Sequence, residues 1–197
     1  REPHCTLKDC LVHLVTHIFV NSSKNIWTYY SNTNDSNITC LMMTQIRLYD
    51  PAITFKRKYI LQEKRKTEKW HGIIIRSFAY PDAMILRRKT NKKRGRKVRH
   101  HKPRDTMDRR LEVLEYQDFN NTCGVFSSWK WLSREMSWIE RKSKKNLLTC
   151  ELRVKEYGGK VTTTTQCVEM YHKICRTLYY KKVYEDSCKK TRIIPKY

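Results

Sequence analysis

From Ile53 to Tyr59 apolar and polar residues alternate, with Ile53, Phe55 and Tyr59 on one side and Thr54, Lys56 and Lys58 on the other. That is the period of a strand with one wet face. Short runs rich in β-branched and aromatic residues predict further strands at Ile26 to Ser31, Thr39 to Tyr49, Lys69 to Phe78, Leu111 to Tyr116, Gly124 to Trp131 and Leu147 to Val154. Two segments carry a helical period instead. Leu11, Leu14, Val15 and Ile18 follow Asp9, a capping residue type, and predict a short helix within residues 1–20. Val168, Tyr171, Ile174 and Cys175 predict a second helix over residues 166–177. About eight short strands suit a closed antiparallel barrel, whose interior holds side chains or one small ligand.

The length of 197 residues is expected to make one domain. Subtracting 19 acidic residues from 42 Lys plus Arg gives a net charge of +23, which favours acidic partners without dictating the fold. An apolar content of 39% with 11% aromatic residues is too high for a disordered polycation. The best membrane-span candidate, around Gly72 to Tyr80, is short and interrupted by Arg76, so a soluble or peripheral protein is expected.

Eight cysteines (Cys5, Cys10, Cys40, Cys123, Cys150, Cys167, Cys175 and Cys188) lie far apart, not in the C-x-x-C pairs of zinc ribbons, and read as disulfides. Their spacing leaves all of about 105 connectivities open. Sequons at Asn21, Asn34, Asn37 and Asn120 point to glycosylation, and with the cysteines to secretion. The start at Arg1 fits removal of a signal peptide or a trimmed chain.

Charge is unevenly spread. Residues 87–104 hold eleven Lys/Arg, two His and no acid, and removing them lowers the net charge from +23 to +12. Self-repulsion predicts a solvated loop, and Lys92, Lys93, Arg94, Arg96, Lys97 and Arg99 form its polyanion-binding centre. A second stretch, Trp129 to Lys145, places Leu132, Met136 and Ile139 at helical spacing among basic residues, an amphipathic pattern.

The run Glu115-Tyr116-Gln117-Asp118-Phe119-Asn120-Asn121-Thr122-Cys123-Gly124-Val125-Phe126 is followed by Cys150-Glu151-Leu152-Arg153-Val154. Then come Cys167 at the opening of a helix and Val183-Tyr184-Glu185-Asp186-Ser187-Cys188. Together with Ile26-Trp27-Thr28-Tyr29-Tyr30 and Ile38-Thr39-Cys40, this order resembles the histamine-binding-protein family of tick salivary lipocalins over roughly residues 26–189. The resemblance implies an eight-stranded antiparallel lipocalin barrel with a C-terminal helix on its wall. It implies disulfides pairing Cys40 with Cys188 and Cys123 with Cys167, and suggests Cys5 or Cys10 as the partner of Cys175. It also implies a secreted protein that traps host amines or lipid mediators, without cofactor or catalysis, to blunt inflammation and haemostasis.

The family's amine-binding members share a pattern like C-D-[VIL], then E-L-[WY], then C. This chain reads Cys123-Gly124-Val125, Glu151-Leu152-Arg153 and Cys167, so an acid and an aromatic are missing. A buried ammonium needs a carboxylate and commonly an aromatic face. Glu151 and Arg153 lie two apart on a strand and share a face, where Arg153 neutralises Glu151. A lipid carboxylate is therefore favoured over an amine as the ligand. Trp27, Tyr29, Phe55, Tyr59, Glu151 and Arg153 are the expected pocket residues. The alternative is a barrel that only scaffolds a polyanion-binding surface for glycosaminoglycan, extracellular nucleic acid or anionic membrane.

Cys5, Cys10, His13 and His17 have a spacing too short for a C2H2 finger, so no metal is expected. No phosphate loop, nucleophile elbow or H-E-x-x-H occurs, and Glu112 and Glu115 fall on opposite strand faces. An enzyme is not expected, and the protein is read as a monomer.

Overall fold

A computed structural model describes residues 15–33, 37–77, 80–89, 109–130, 147–176 and 180–190. Eight antiparallel strands follow one another around a closed barrel: β1 (Ile26–Ser31), β2 (Ile38–Tyr49), β3 (Ala52–Leu61), β4 (Lys64–Ser77), β5 (Tyr80–Lys89), β6 (Arg109–Gln117), β7 (Cys123–Lys130) and β8 (Leu147–Lys155). Closure is made by β1, where Trp27 lies opposite Met42 of β2 on one side and Val154 of β8 on the other. A two-residue strand, β9 (Lys181–Lys182), adds to the outer end of β1.

The expected strands are all present, and two more, β5 and the short β9, were not foreseen. Residues 80–89 form β5, so Arg87, Arg88 and Lys89 belong to a strand and not to the solvated loop assigned to residues 87–104. Charge repulsion is overcome there because the residues alternate in direction, Arg88 turning inward to Glu68 at 2.9 Å. Residues 90–104 and most of Trp129 to Lys145 lie outside the described residues.

One end of the barrel is plugged. Helix α1 (Val15–Val20) lays Phe19 and Val20 into the interior, where the Phe19 ring stands 5.3 Å from that of Phe126. Above this plug, Ile26, Met43, Ile53, Phe55, Trp70, Ile74, Met84 and Leu86 fill the lower barrel. At the same end Asp118 holds the β6–β7 turn, its carboxylate accepting from the backbone N–H of Thr122 and Cys123 at 2.7 and 2.8 Å.

Helix α2 (Thr165–Cys175) packs on the outer wall. Thr164 caps it by accepting from the Cys167 N–H at 3.2 Å, and Arg176 ends it in the left-handed region at φ 44°. Cys167, Tyr171 and Cys175 recur four apart on its barrel-facing side. Cys167 bonds Cys123 of β7, and Cys175 bonds Cys150 of β8. A third disulfide joins Cys40 of β2 to Cys188 in α3 (Ser187–Lys190).

Two of these pairings are the ones the resemblance implies. The third corrects the pairing of Cys175 with Cys5 or Cys10: Cys150 points outward from β8 directly beneath the last turn of α2, with a Cα separation of 5.8 Å from Cys175. Cys5, Cys10 and His13 lie outside the described residues. Asn21, Asn37 and Asn120 are exposed, as sugar attachment requires, and Asn34 lies outside the described residues. No described helix is long and apolar enough to cross a membrane.

Candidate functional site

Strand parity decides what faces the interior. On β3 the buried positions Ile53, Phe55 and Arg57 alternate with Thr54, Lys56 and Lys58, and Tyr59 continues the inner row. Glu68 and Trp70 of β4, Arg88 of β5, Arg110 and Glu112 of β6, and Glu151 and Arg153 of β8 continue it around the upper barrel. Among the described residues, four arginines and three glutamates thus share the upper interior.

Most of these charges are paired. Glu112, fully buried, accepts from Arg153 Nη1 at 2.7 Å and forms an ion pair with Arg57. Burial pushes its carboxyl up, but the Arg153 and Arg57 guanidiniums outweigh that and hold it down at about 2. Glu151 accepts from Arg153 Nε at 2.8 Å, as the two-residue spacing predicts, and has Thr28 Oγ1 and Thr149 Oγ1 at 3.5 Å. Burial opposes the charge on Arg153, yet the two glutamates raise its pKa above the usual value. Glu68 accepts from Arg88 at 2.9 Å, from Trp70 Nε1 at 3.0 Å and from the Tyr59 hydroxyl at 3.1 Å. These donors overcome its burial and lower its pKa.

Arg110 is the exception. Among the described residues its side chain makes no hydrogen bond and no ion pair; its guanidinium lies 5.2 Å from the Trp70 ring centre, and that of Arg57 lies 5.1 Å from the same ring. Burial, followed by the neighbouring charge of Arg57, lowers its pKa. It opens onto a cavity of about 200 Å³ bounded by Ser31, Tyr59, Glu68, Thr149 and Glu151, with Ile38, Leu41 and Val183 as its apolar wall.

The pocket lies at the unplugged end. There β5 hands over to β6 through residues 90–108, and β7 to β8 through residues 131–146. Residues 90–108 and 131–146, which join these strands, are basic in sequence.

Of the expected pocket residues, Tyr59, Glu151 and Arg153 meet around this interior, and Phe55 is inward but deep in the core. Trp27 and Tyr29 are corrected: they face the outer wall, where both pack on Tyr184, at 5.2 and 5.9 Å between ring centres. Trp27 Nε1 donates to Glu156 at 3.1 Å. A register shift between Thr28 and Tyr30 leaves Ile26, Thr28 and Ser31 as the inward residues of β1, and the aromatic rings cover the wall beneath α2 and the C-terminal segment. Arg57, Glu68, Arg110 and Glu112 were missed. The alternation that singles out Ile53, Phe55 and Tyr59 already includes Arg57 on the same side.

The missing acid of the amine pattern also has a structural cause. A Cβ on Gly124 would meet Leu114 Cδ1 at 2.9 Å, Tyr116 O at 3.1 Å and Phe19 Cε2 at 3.2 Å. Leu114, the Tyr116 carbonyl and the α1 plug therefore crowd the space an aspartate side chain would need.

Asp118, Cys123 and Cys167 lie close together, but both cysteines are spent in their mutual disulfide and offer no thiolate to a metal.

No protein-family model matches the chain, and no curated protein matches it by sequence. Solved structures do match in shape. AM182 in its complex with serotonin superposes with a TM-score of 0.51 at 7% identity, over 87% of this chain and 90% of that one. The siderocalin Ex-FABP gives 0.49 at 8% identity over 80% and 85% of the two chains, and a dog lipocalin allergen 0.46 at 9% over 90% and 99%. The closed eight-stranded barrel with a C-terminal helix on its wall is a lipocalin fold.

Proposed function

We propose that this chain is a secreted lipocalin of the tick salivary type, which sequesters a small host mediator carrying an anionic group and acts on inflammation or haemostasis without catalysis. The observation that carries the reading is Arg110, a guanidinium in the interior cavity with no hydrogen bond or ion pair among the described residues. Glu68, Glu112 and Glu151 are already compensated, so among the described residues the upper barrel has one cation in excess and no carboxylate left for an ammonium. A lipid carboxylate fits this charge better than a biogenic amine. About 200 Å³ is below the roughly 300 Å³ at which ordinary ligand pockets begin, so a head group and its first carbons occupy the cavity while the tail lies toward the mouth. Serotonin is bound by AM182, but no amine site is carried over to this chain.

Titration of Trp70 fluorescence, read against Trp70→Phe as a blank, tests the assignment with arachidonate, its methyl ester and serotonin as probes. Arachidonate is expected to bind, and Arg110→Gln to weaken it about tenfold or more while leaving the ester unaffected, the worth of one charge-assisted hydrogen bond. Binding of serotonin in preference to arachidonate would overturn the reading.

A second reading keeps the barrel as scaffold for a polyanion surface built from Lys92, Lys93, Arg94, Arg96, Lys97 and Arg99. The charge of residues 87–104, eleven Lys/Arg without an acid, favours it.

A further inference from the structure

Outside the barrel, cross-strand register sets like charges side by side. Lys56 of β3 is directly opposite Lys69 of β4, and Lys69 is directly opposite Lys89 of β5. The neighbouring row runs Arg47, Thr54, His71 and Arg87 across β2 to β5. No acid interrupts these rows. β2 and β3 contain no Asp or Glu, residues 83–89 of β5 contain none, and the one acid of β4, Glu68, is turned inward. The side chains of Lys56, Lys69 and Lys89 make no hydrogen bond or ion pair among the described residues.

Like charges directly opposite one another weaken a sheet, and a glutamate at the middle position would strengthen it. The fold gains nothing from this arrangement. Adjacent strands stand about 4.8 Å apart, so the three ammonium stems form a regular file roughly 10 Å across. They border a shallow depression of about 340 Å³ beside the register shift between Thr44 and Arg47.

We propose that this strand face is a binding site for a sulfated polysaccharide, with Lys56, Lys69 and Lys89 as its central file. It goes beyond the loop-based polyanion reading, because it uses residues of the barrel wall and stands whether or not residues 92–99 take part. A chain bearing charges at repeated intervals matches a file of cations better than a single small anion does. The lining offers no exposed Phe, Tyr or Trp: Phe55 and Trp70 are buried beneath it, so unpaired bases find no stacking platform. Disulfides place the chain in an oxidising compartment, where sulfated sugars are the abundant polyanion.

The test is calorimetric titration of the full chain with a heparin-derived oligosaccharide between 50 and 200 mM NaCl. Lys56→Ser, Lys69→Ser and Lys89→Ser combined are expected to cut affinity at 50 mM about tenfold or more, and to flatten the salt dependence by roughly two to three charges. The corresponding triple arginine variant should bind as the parent does, which separates lost charge from lost fold. A six-serine variant of the 92–99 residues should retain the full difference between parent and strand-face variant; loss of binding there alone would supersede the strand face and support the loop. Unchanged affinity and salt slope in the triple serine variant would overturn the proposal, as would a DNA duplex bound as tightly as the oligosaccharide.

Discussion

Arg153 and Glu151 neutralise one another inside the barrel, Nε to Oε2 at 2.8 Å, from adjacent inward positions of β8. The glutamate that the amine-binding pattern would offer to a ligand is therefore a structural partner. Arg153 also reaches Glu112, and Glu112 reaches Arg57, so β3, β6 and β8 are joined across the interior by one ionic chain.

Replacing Glu112 by Gln should destabilise the protein by about 3 to 5 kcal/mol, because two buried guanidiniums lose their shared counter-charge. Urea unfolding at pH 7 measures it. The same group sets an acid limit: its folded pKa is depressed to about 2, so its contribution is complete above pH 4.5 and is lost as pH falls through about 2. The parent should lose stability across that window more steeply than Glu112→Gln.

Lys155 should make the protein more stable as pH rises above 8. Its Nζ lies 4.6 Å from the Phe19 ring centre. Burial, then the neighbouring charge of Lys24, hold its pKa at about 8 against the opposing pull of Asp118. Between that value and the unfolded one near 10.5 the unfolded chain binds the extra proton, so stability grows with pH. The urea midpoint should rise between pH 7.5 and 9.5 in the parent and stay flatter in Lys155→Met, which should also be the more stable protein at pH 7. Equal pH profiles would show that Lys155 stays charged in the fold.

Restoring the acid of the amine pattern should not restore an amine site. Gly124→Asp forces a Cβ against Leu114, Tyr116 and Phe19 and buries a carboxylate under the plug. A loss of about 3 kcal/mol is expected. Adding Phe19→Ala should recover part of it, a coupling that a double-mutant cycle reads directly.

Much of the architecture is legible in local pattern. The two-residue alternation of Ile53, Phe55 and Tyr59 marks β3, the spacing of Val168, Tyr171 and Ile174 marks α2, and the Glu151–Arg153 pairing follows from strand geometry alone. These are short-range consequences of backbone periodicity, which the chain carries in itself. Which face of each strand becomes the inside is set by closure, by the shift at Thr28 to Tyr30 and by what packs against the wall. Residue type alone therefore assigned Trp27 and Tyr29 to the pocket, whereas the wall beneath α2 needed their apolar rings. The Cys150–Cys175 bond, the packing of Phe19 against Gly124 and the Arg110 guanidinium left without an ion pair among the described residues depend on segments far apart in sequence meeting in space. So does the file of Lys56, Lys69 and Lys89, since each lysine reads as an ordinary solvated residue until strand register sets them side by side.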